Sequence, residues 1–135
     1  MIALRRPLAA ACVALLAACG GDGTGPVAGS LKVNFTTPNN GHDAAVLLLL
    51  TAPAPPVGAT AAAGLSVWGT PFTSTTTKLV VTGTLSTGTI LSIQVDDVNK
   101  VGQYSVSVQV VSADSTVIPR YALRPMSGYS ASITK

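Results

Sequence analysis

The stretch Tyr104-Ser105-Val106-Ser107-Val108-Gln109-Val110 alternates apolar and polar side chains without a break. Successive side chains of an extended chain point to opposite faces. A period of two therefore places Tyr104, Val106, Val108 and Val110 on one face and Ser105, Ser107 and Gln109 on the other. A helix would scatter the same residues around its circumference. The stretch predicts a strand with one face on a core and the other toward water.

The same signature recurs. Leu31, Val33 and Phe35 alternate with Lys32, Asn34 and Thr36; Leu91, Ile93 and Val95 with Ser92, Gln94 and Asp96; Tyr129, Ala131 and Ile133 with Ser130, Ser132 and Thr134. Leu79, Val81 and Leu85 share one parity and lead into the turn Ser86-Thr87-Gly88. Ala45 to Thr51, AVLLLLT, is a continuous apolar run, which predicts a strand buried on both faces. Pro53, Pro55 and Pro56 cut short the alternative, a helix. These prolines and Gly58 also argue against a membrane span over the uncharged residues 44–63. Leu65 to Trp68 reads as a further short strand, Pro71 to Thr77 as a Thr-rich edge or turn, and Val117 to Arg124 as extended chain interrupted at Pro119. Val, Thr and Ser are abundant, and all five acidic residues are Asp. This composition favours strands over helices. The expectation is an all-β fold, a single β-sandwich of about seven or eight antiparallel strands over residues 30–135.

The first residues follow a different logic. Arg5 and Arg6 precede an uncharged run from Leu8 to Ala18, the layout of a secretory signal peptide. That run is short of the roughly 20 residues a membrane-crossing helix needs. It ends in Leu16-Ala17-Ala18-Cys19, which resembles the lipobox of bacterial lipoproteins. The resemblance implies that residues 1–18 form a signal helix that is removed and that Cys19 is acylated. Gly20 stands where an Asp tends to retain such proteins at the inner membrane, so the resemblance further implies a bacterial cell-envelope location at the outer membrane or cell surface. Several acyl chains hold a protein firmly where one holds it only marginally. Residues 19–29 are then the lipidated cysteine and a Gly-rich tether with a reach of roughly 17 Å. Cys12 departs with the signal, and the mature chain keeps only Cys19, so no internal disulfide is expected. Without Arg5 and Arg6, six basic residues face five Asp, a net charge of +1 with the amino terminus blocked. No basic cluster points to nucleic acid.

Few residues carry chemistry. From Asp97 the chain reads Asp-x-Asn-x-x-Gly, part of a calcium loop formed with Asp96, Asp97 and Asn99. The fifth loop position is Val101 and the twelfth Val108, where oxygen donors are required. His42 beside Asp43 could orient an imidazole as a base, but no second His, Cys or Glu completes a zinc set. Gly64-Leu65-Ser66-Val67-Trp68 begins like a nucleophile elbow and has Trp where the second glycine belongs. Adjacent Asp96 and Asp97 do not supply the two facing carboxylates of a glycosidase. Neither a catalytic residue nor a cofactor is expected.

Of the aromatic residues Trp68, Phe72, Tyr104, Tyr121 and Tyr129, the pattern puts Tyr104 and Tyr129 on core faces and leaves Trp68 and Tyr121 as candidate ligand contacts. The strand pattern over residues 30–135 is similar to that of small extracytoplasmic immunoglobulin-like or cohesin-like sandwiches. Such a likeness implies no activity by itself. The expected function is a lipid-anchored, non-enzymatic binding or structural module. Its partners would be the membrane, through the lipid, and an unidentified protein or glycan. A carbohydrate-binding module using exposed aromatics is the first alternative, and a small hydrolase the second.

Overall fold

A computed structural model describes residues 25–69, 72, 74–113 and 123–135. The alternating stretches form eight strands: β1 (Gly29–Thr36), β2 (Asp43–Thr51), β3 (Gly58–Ala61), β4 (Ser66–Trp68), β5 (Thr76–Leu85), β6 (Gly88–Val95), β7 (Ser105–Ala113) and β8 (Ser130–Thr134). They make two four-stranded antiparallel sheets, ordered β3-β6-β1-β8 and β4-β5-β2-β7. The fold is an all-β sandwich. Consecutive strands β1 and β2 lie in different sheets, whereas the first two strands of the immunoglobulin layout share one. The pairs β1–β8, β2–β7, β3–β6 and β4–β5 are nested one inside the next, as in a long hairpin folded over on itself.

The core is built from the inner faces. Leu31, Val33 and Phe35 of β1 and Leu91, Ile93 and Val95 of β6 meet Val46, Leu48 and Leu50 of β2 and Leu79, Val81 and Leu85 of β5. With no disulfide among the described residues, burial of this apolar surface is the main stabilising term.

Three details depart from the sequence pattern. β3 forms just past the prolines, in a stretch with no alternating apolar pattern, pairing Gly58–Ala61 with Gln94–Leu91 of β6. In β6 the register shifts between Val33 and Asn34 of β1, which leaves Ile90 as an extra residue. This bulge lets the neighbours Ile90 and Leu91 both enter the core. The third detail, another bulge, lies inside the cleanest alternating stretch. Leu47 pairs with Val110 but Leu48 with Val108, so Gln109 is the unpaired residue. Val106 and Val108 face the core as expected. Past the bulge the parity reverses: Val111 is fully buried, and Val110 emerges on the outer face. The reversal matters below.

Candidate functional site

Two places break the rule of apolar inside and polar outside. The first is Asp43, whose side chain is 0% exposed at the start of β2. An unpaired buried carboxylate would be costly, and this one is fully engaged. Oδ1 accepts from Arg124 Nε at 3.1 Å and from Tyr129 Oη at 2.9 Å. Oδ2 accepts a hydrogen bond from Thr37 Oγ1. Asn39 Nδ2 donates to Tyr129 Oη at 2.9 Å, and Arg124 Nη2 donates to the carbonyl of His42 at 3.1 Å. Thr87 adds bonds to both sides of the β1–β2 turn: its Oγ1 accepts from the Thr37 amide, and its own amide donates to Asn40 Oδ1 at 2.7 Å. No buried side-chain polar atom lacks a partner among the described residues. The network draws on the β1–β2, β5–β6 and β7–β8 connections and closes one end of the sandwich. Its chemistry is spent on structure. The carboxylate is taken by Arg124, Tyr129 and Thr37, while the His42 side chain is exposed to solvent.

The second place is the outer face of the sheet β4-β5-β2-β7. Paired residues of antiparallel strands share a face, so the register defines this surface row by row. Trp68 pairs with Val80, Val80 with Leu47, and Leu47 with Val110: an apolar row crossing all four strands. The inner row beside it, Val67, Val81, Val46 and Val111, belongs to the core. On one side of the outer row lie Lys78, Leu49 and Ser107, and on the other Ser66, Thr82, Ala45 and Ser112. Ser112 is bridged in turn to Leu123, which is 72% exposed and extends the surface past β7. Trp68 is 62% exposed at the opposite edge, its indole N–H donating a long 3.4 Å bond to Thr82 Oγ1. Leu47, Leu49, Val80 and Val110 are half-buried, and none belongs to the core cluster.

The run AVLLLLT is thus a central strand with one face in the core and the other on this surface, where burial on both faces was expected. Two adjacent strands of the other sheet show what an ordinary outer face looks like. There Ser30, Lys32, Asn34 and Thr36 of β1 lie beside Ser130, Ser132 and Thr134 of β8, with Ser92 and Gln94 of β6 on the other flank. Thr89, Asn34 and Thr134 form a hydrogen-bonded ladder across it. One outer face is hydroxyl- and amide-bearing; the other is aliphatic and aromatic.

The remaining candidate residues are placed as follows. Cys19 and Tyr121 lie outside the described residues. Asp97 caps a short 3-10 turn over Val98–Gln103: its Oδ1 accepts from the Asn99 amide at 3.0 Å and from the Val27 amide at 3.2 Å. The Val27 carbonyl accepts from Val98. Asp97 therefore fastens the end of the Gly-rich segment to the domain. Asn99 Oδ1 accepts from Lys135 Nζ at 3.0 Å, and Asp96 is exposed at the rim of an open hollow lined in part by Val57, Gln94 and Val95. Among the described residues no three His, Cys, Asp or Glu gather as a metal-ligand group, and no helix is long and apolar enough to cross a membrane. Phe72 and Tyr104 pack half-buried against the core, and Tyr129 stacks on Phe35 with ring centroids 5.9 Å apart. Burial, and then the charges of Asp96 and Asp97, push the Tyr104 phenol above its ordinary value.

Of the surface row, sequence reasoning singled out Trp68 alone. Val80 carried a signal, since it stands at the opposite parity to Leu79 and Val81 in an otherwise alternating strand. Val110 carried none, because the bulge at Gln109 leaves no mark in the residue pattern. The molecule is a β-sandwich with a polar lock at one end and one apolar outer face. No protein-family model, curated protein or solved structure matches the chain.

Proposed function

We propose that this chain is a lipid-anchored, non-enzymatic module of the bacterial cell envelope that works by binding through the outer face of the sheet β4-β5-β2-β7. The observation that carries the binding half is the row Trp68-Val80-Leu47-Val110, because nothing within the described residues covers it. Contiguous apolar surface on a soluble domain marks an interaction site more often than chance exposure does. The anchor half is supported by Leu16-Ala17-Ala18-Cys19 behind a basic and an apolar segment. Gly20 after the cysteine favours the outer membrane. The Asp97 contact fastens Val27 to the domain, eight residues after Cys19 in sequence, which supports a domain held near the lipid.

Membrane fractionation followed by mass spectrometry tests the anchor. Acylated Cys19 at the mature amino terminus is expected, with Cys19→Ser shifting the protein to the soluble fraction; an unmodified Cys19 in the membrane fraction would overturn it. A carbohydrate-binding role is the second reading, favoured by the exposed indole of Trp68 at the edge of the sheet. Sugars stack on such rings, and a titration of Trp68 fluorescence with cell-wall and capsular polysaccharides tests it, with Trp68→Ala as the control.

A further inference from the structure

We infer that the occupant of the apolar face is a second copy of this chain, and that two copies pack sheet against sheet as a closed dimer. The inference rests on the binding-face half of the proposed function and is independent of the lipid anchor.

The face itself narrows the partner. Its central row offers no donor or acceptor apart from the Trp68 indole N–H, which Thr82 Oγ1 already accepts at 3.4 Å. Gln109 Nε2 is committed to Ser107 Oγ at 2.8 Å. A polyhydroxylated ligand would lose its hydration over Leu47, Leu49, Val80 and Val110 and find few hydrogen bonds in exchange. The partner surface must therefore be apolar and shaped to a twisted sheet. An identical face meets both conditions, since aligned sheets pack at about −30° with their side chains interdigitated. The inner face of this same sheet already packs its apolar side chains against a second sheet.

Charge permits self-association. Lys78 is the one charged residue on the described rows of the face, and no carboxylate among them demands a cationic partner. The whole chain carries only 10% charged residues and a net charge of +3, so copies repel one another weakly.

Area sets the strength. Three strands about 4.8 Å apart, each offering about seven residues at roughly 3.4 Å, and the three-residue edge strand β4 give a footprint of ~400 Å² per copy. Stable interfaces bury roughly 800 Å² per partner. The dimer is accordingly weak in dilute solution and gains from any confinement that raises local concentration. The polar outer faces of β1, β6 and β8 decide how assembly stops. A molecule with one apolar face closes as an isologous pair, whereas two such faces would polymerise.

Sedimentation equilibrium of the full chain in density-matched detergent, from micromolar to millimolar protein, is the test. The expected result is a monomer–dimer equilibrium with no higher species. Leu47→Glu and Val80→Glu, each placing an anion in the central row, should weaken dimerisation at least tenfold, while Asn34→Glu on the opposite outer face leaves it unchanged. Circular dichroism of each variant separates lost association from lost folding, and Trp68→Ser, at an edge position without core contacts, serves if either glutamate variant unfolds. A wild-type chain that stays monomeric across the range overturns the dimer, as does equal weakening by Asn34→Glu. A monomeric chain whose Trp68 fluorescence nevertheless responds to polysaccharide overturns the dimer and leaves the binding face standing. A monomer with no response to polysaccharide removes the support for both.

Discussion

Asp43 and Trp68 invert the usual placement of their residue types, and the contrast between their surroundings separates structure from function. The carboxylate is completely buried, yet every reason for it lies within the molecule: a guanidinium and a phenol from the β7–β8 connection and a hydroxyl from the β1–β2 connection converge on it. The indole is 62% exposed beside a row of aliphatic side chains, and no contact among the described residues accounts for that row. A buried polar group that is fully satisfied belongs to the fold. An exposed apolar surface that the fold leaves open points outward, to a partner.

The sharpest way to break this comparison uses two neighbours on β2. Leu48 is 0% exposed in the core, and Leu47 faces the outer surface. Leu48→Ala should cost about 3–4 kcal/mol in urea unfolding of dilute protein, within the range for buried leucines that leave a cavity. Leu47→Ala should cost about 1 kcal/mol or less under the same conditions. Equal losses would mean that the outer row is a second core and not a surface.

At the other pole of the comparison, Arg124→Ala leaves the Asp43 carboxylate buried without its cation. Breaking a buried pair costs roughly 3–5 kcal/mol. Arg124 keeps 28% of its side chain exposed, so water partly compensates and about 2–3 kcal/mol is expected. The loss should appear in the chemical-denaturation midpoint, with no effect on dimerisation if the polar lock and the apolar face are independent. A weakened dimer in a folded Arg124→Ala variant would join the two regions into one functional unit. Tyr129→Phe is the milder probe. It keeps the ring against Phe35 and removes the hydroxyl that links Asn39 to Asp43, for about 1–2 kcal/mol.

The strands and the sandwich were legible because alternation is a local property, written into residues such as Leu31 to Thr36 and Leu91 to Asp96. The surface was not, for reasons that are equally physical. A run such as Leu47-Leu48-Leu49-Leu50 is apolar on both parities, and nothing in it says that a second layer covers only one side. The bulge at Gln109 depends on what β2 offers across the ladder, so Val110 and Val111 exchange faces without a change in the pattern of the strand itself. β3 was hidden by its setting, because Gly58-Ala59-Thr60-Ala61 carries weak strand propensity and takes its conformation from the edge of β6. Asp43 was read through its neighbour His42, whereas Arg124 and Tyr129 lie more than eighty residues away in sequence.

The smallest effect concerns the opposite end of the sandwich, where a second tyrosine meets acidic residues on different terms. Tyr129 donates its hydroxyl to a carboxylate. Tyr104, entering β7 after the Asp97-capped turn, is half-buried with Asp96 and Asp97 near enough to be felt, and its phenol is raised above the usual value first by burial and then by those two charges. A phenol whose proton the folded state holds more tightly stabilises the fold below its unfolded value near 10 and loses that contribution as pH rises through the folded value. Removing one of the charges should therefore lower the folded value toward the unfolded one, which narrows the window between them and makes the alkaline loss of stability smaller. Asp96→Asn is the variant of choice, because Asp97 also holds the turn and Val27. Tyrosinate absorbance across an alkaline titration, with Tyr104→Phe assigning the step, measures it. A step unmoved by Asp96→Asn would leave burial and Asp97 as the causes and remove Asp96 from the account of this end.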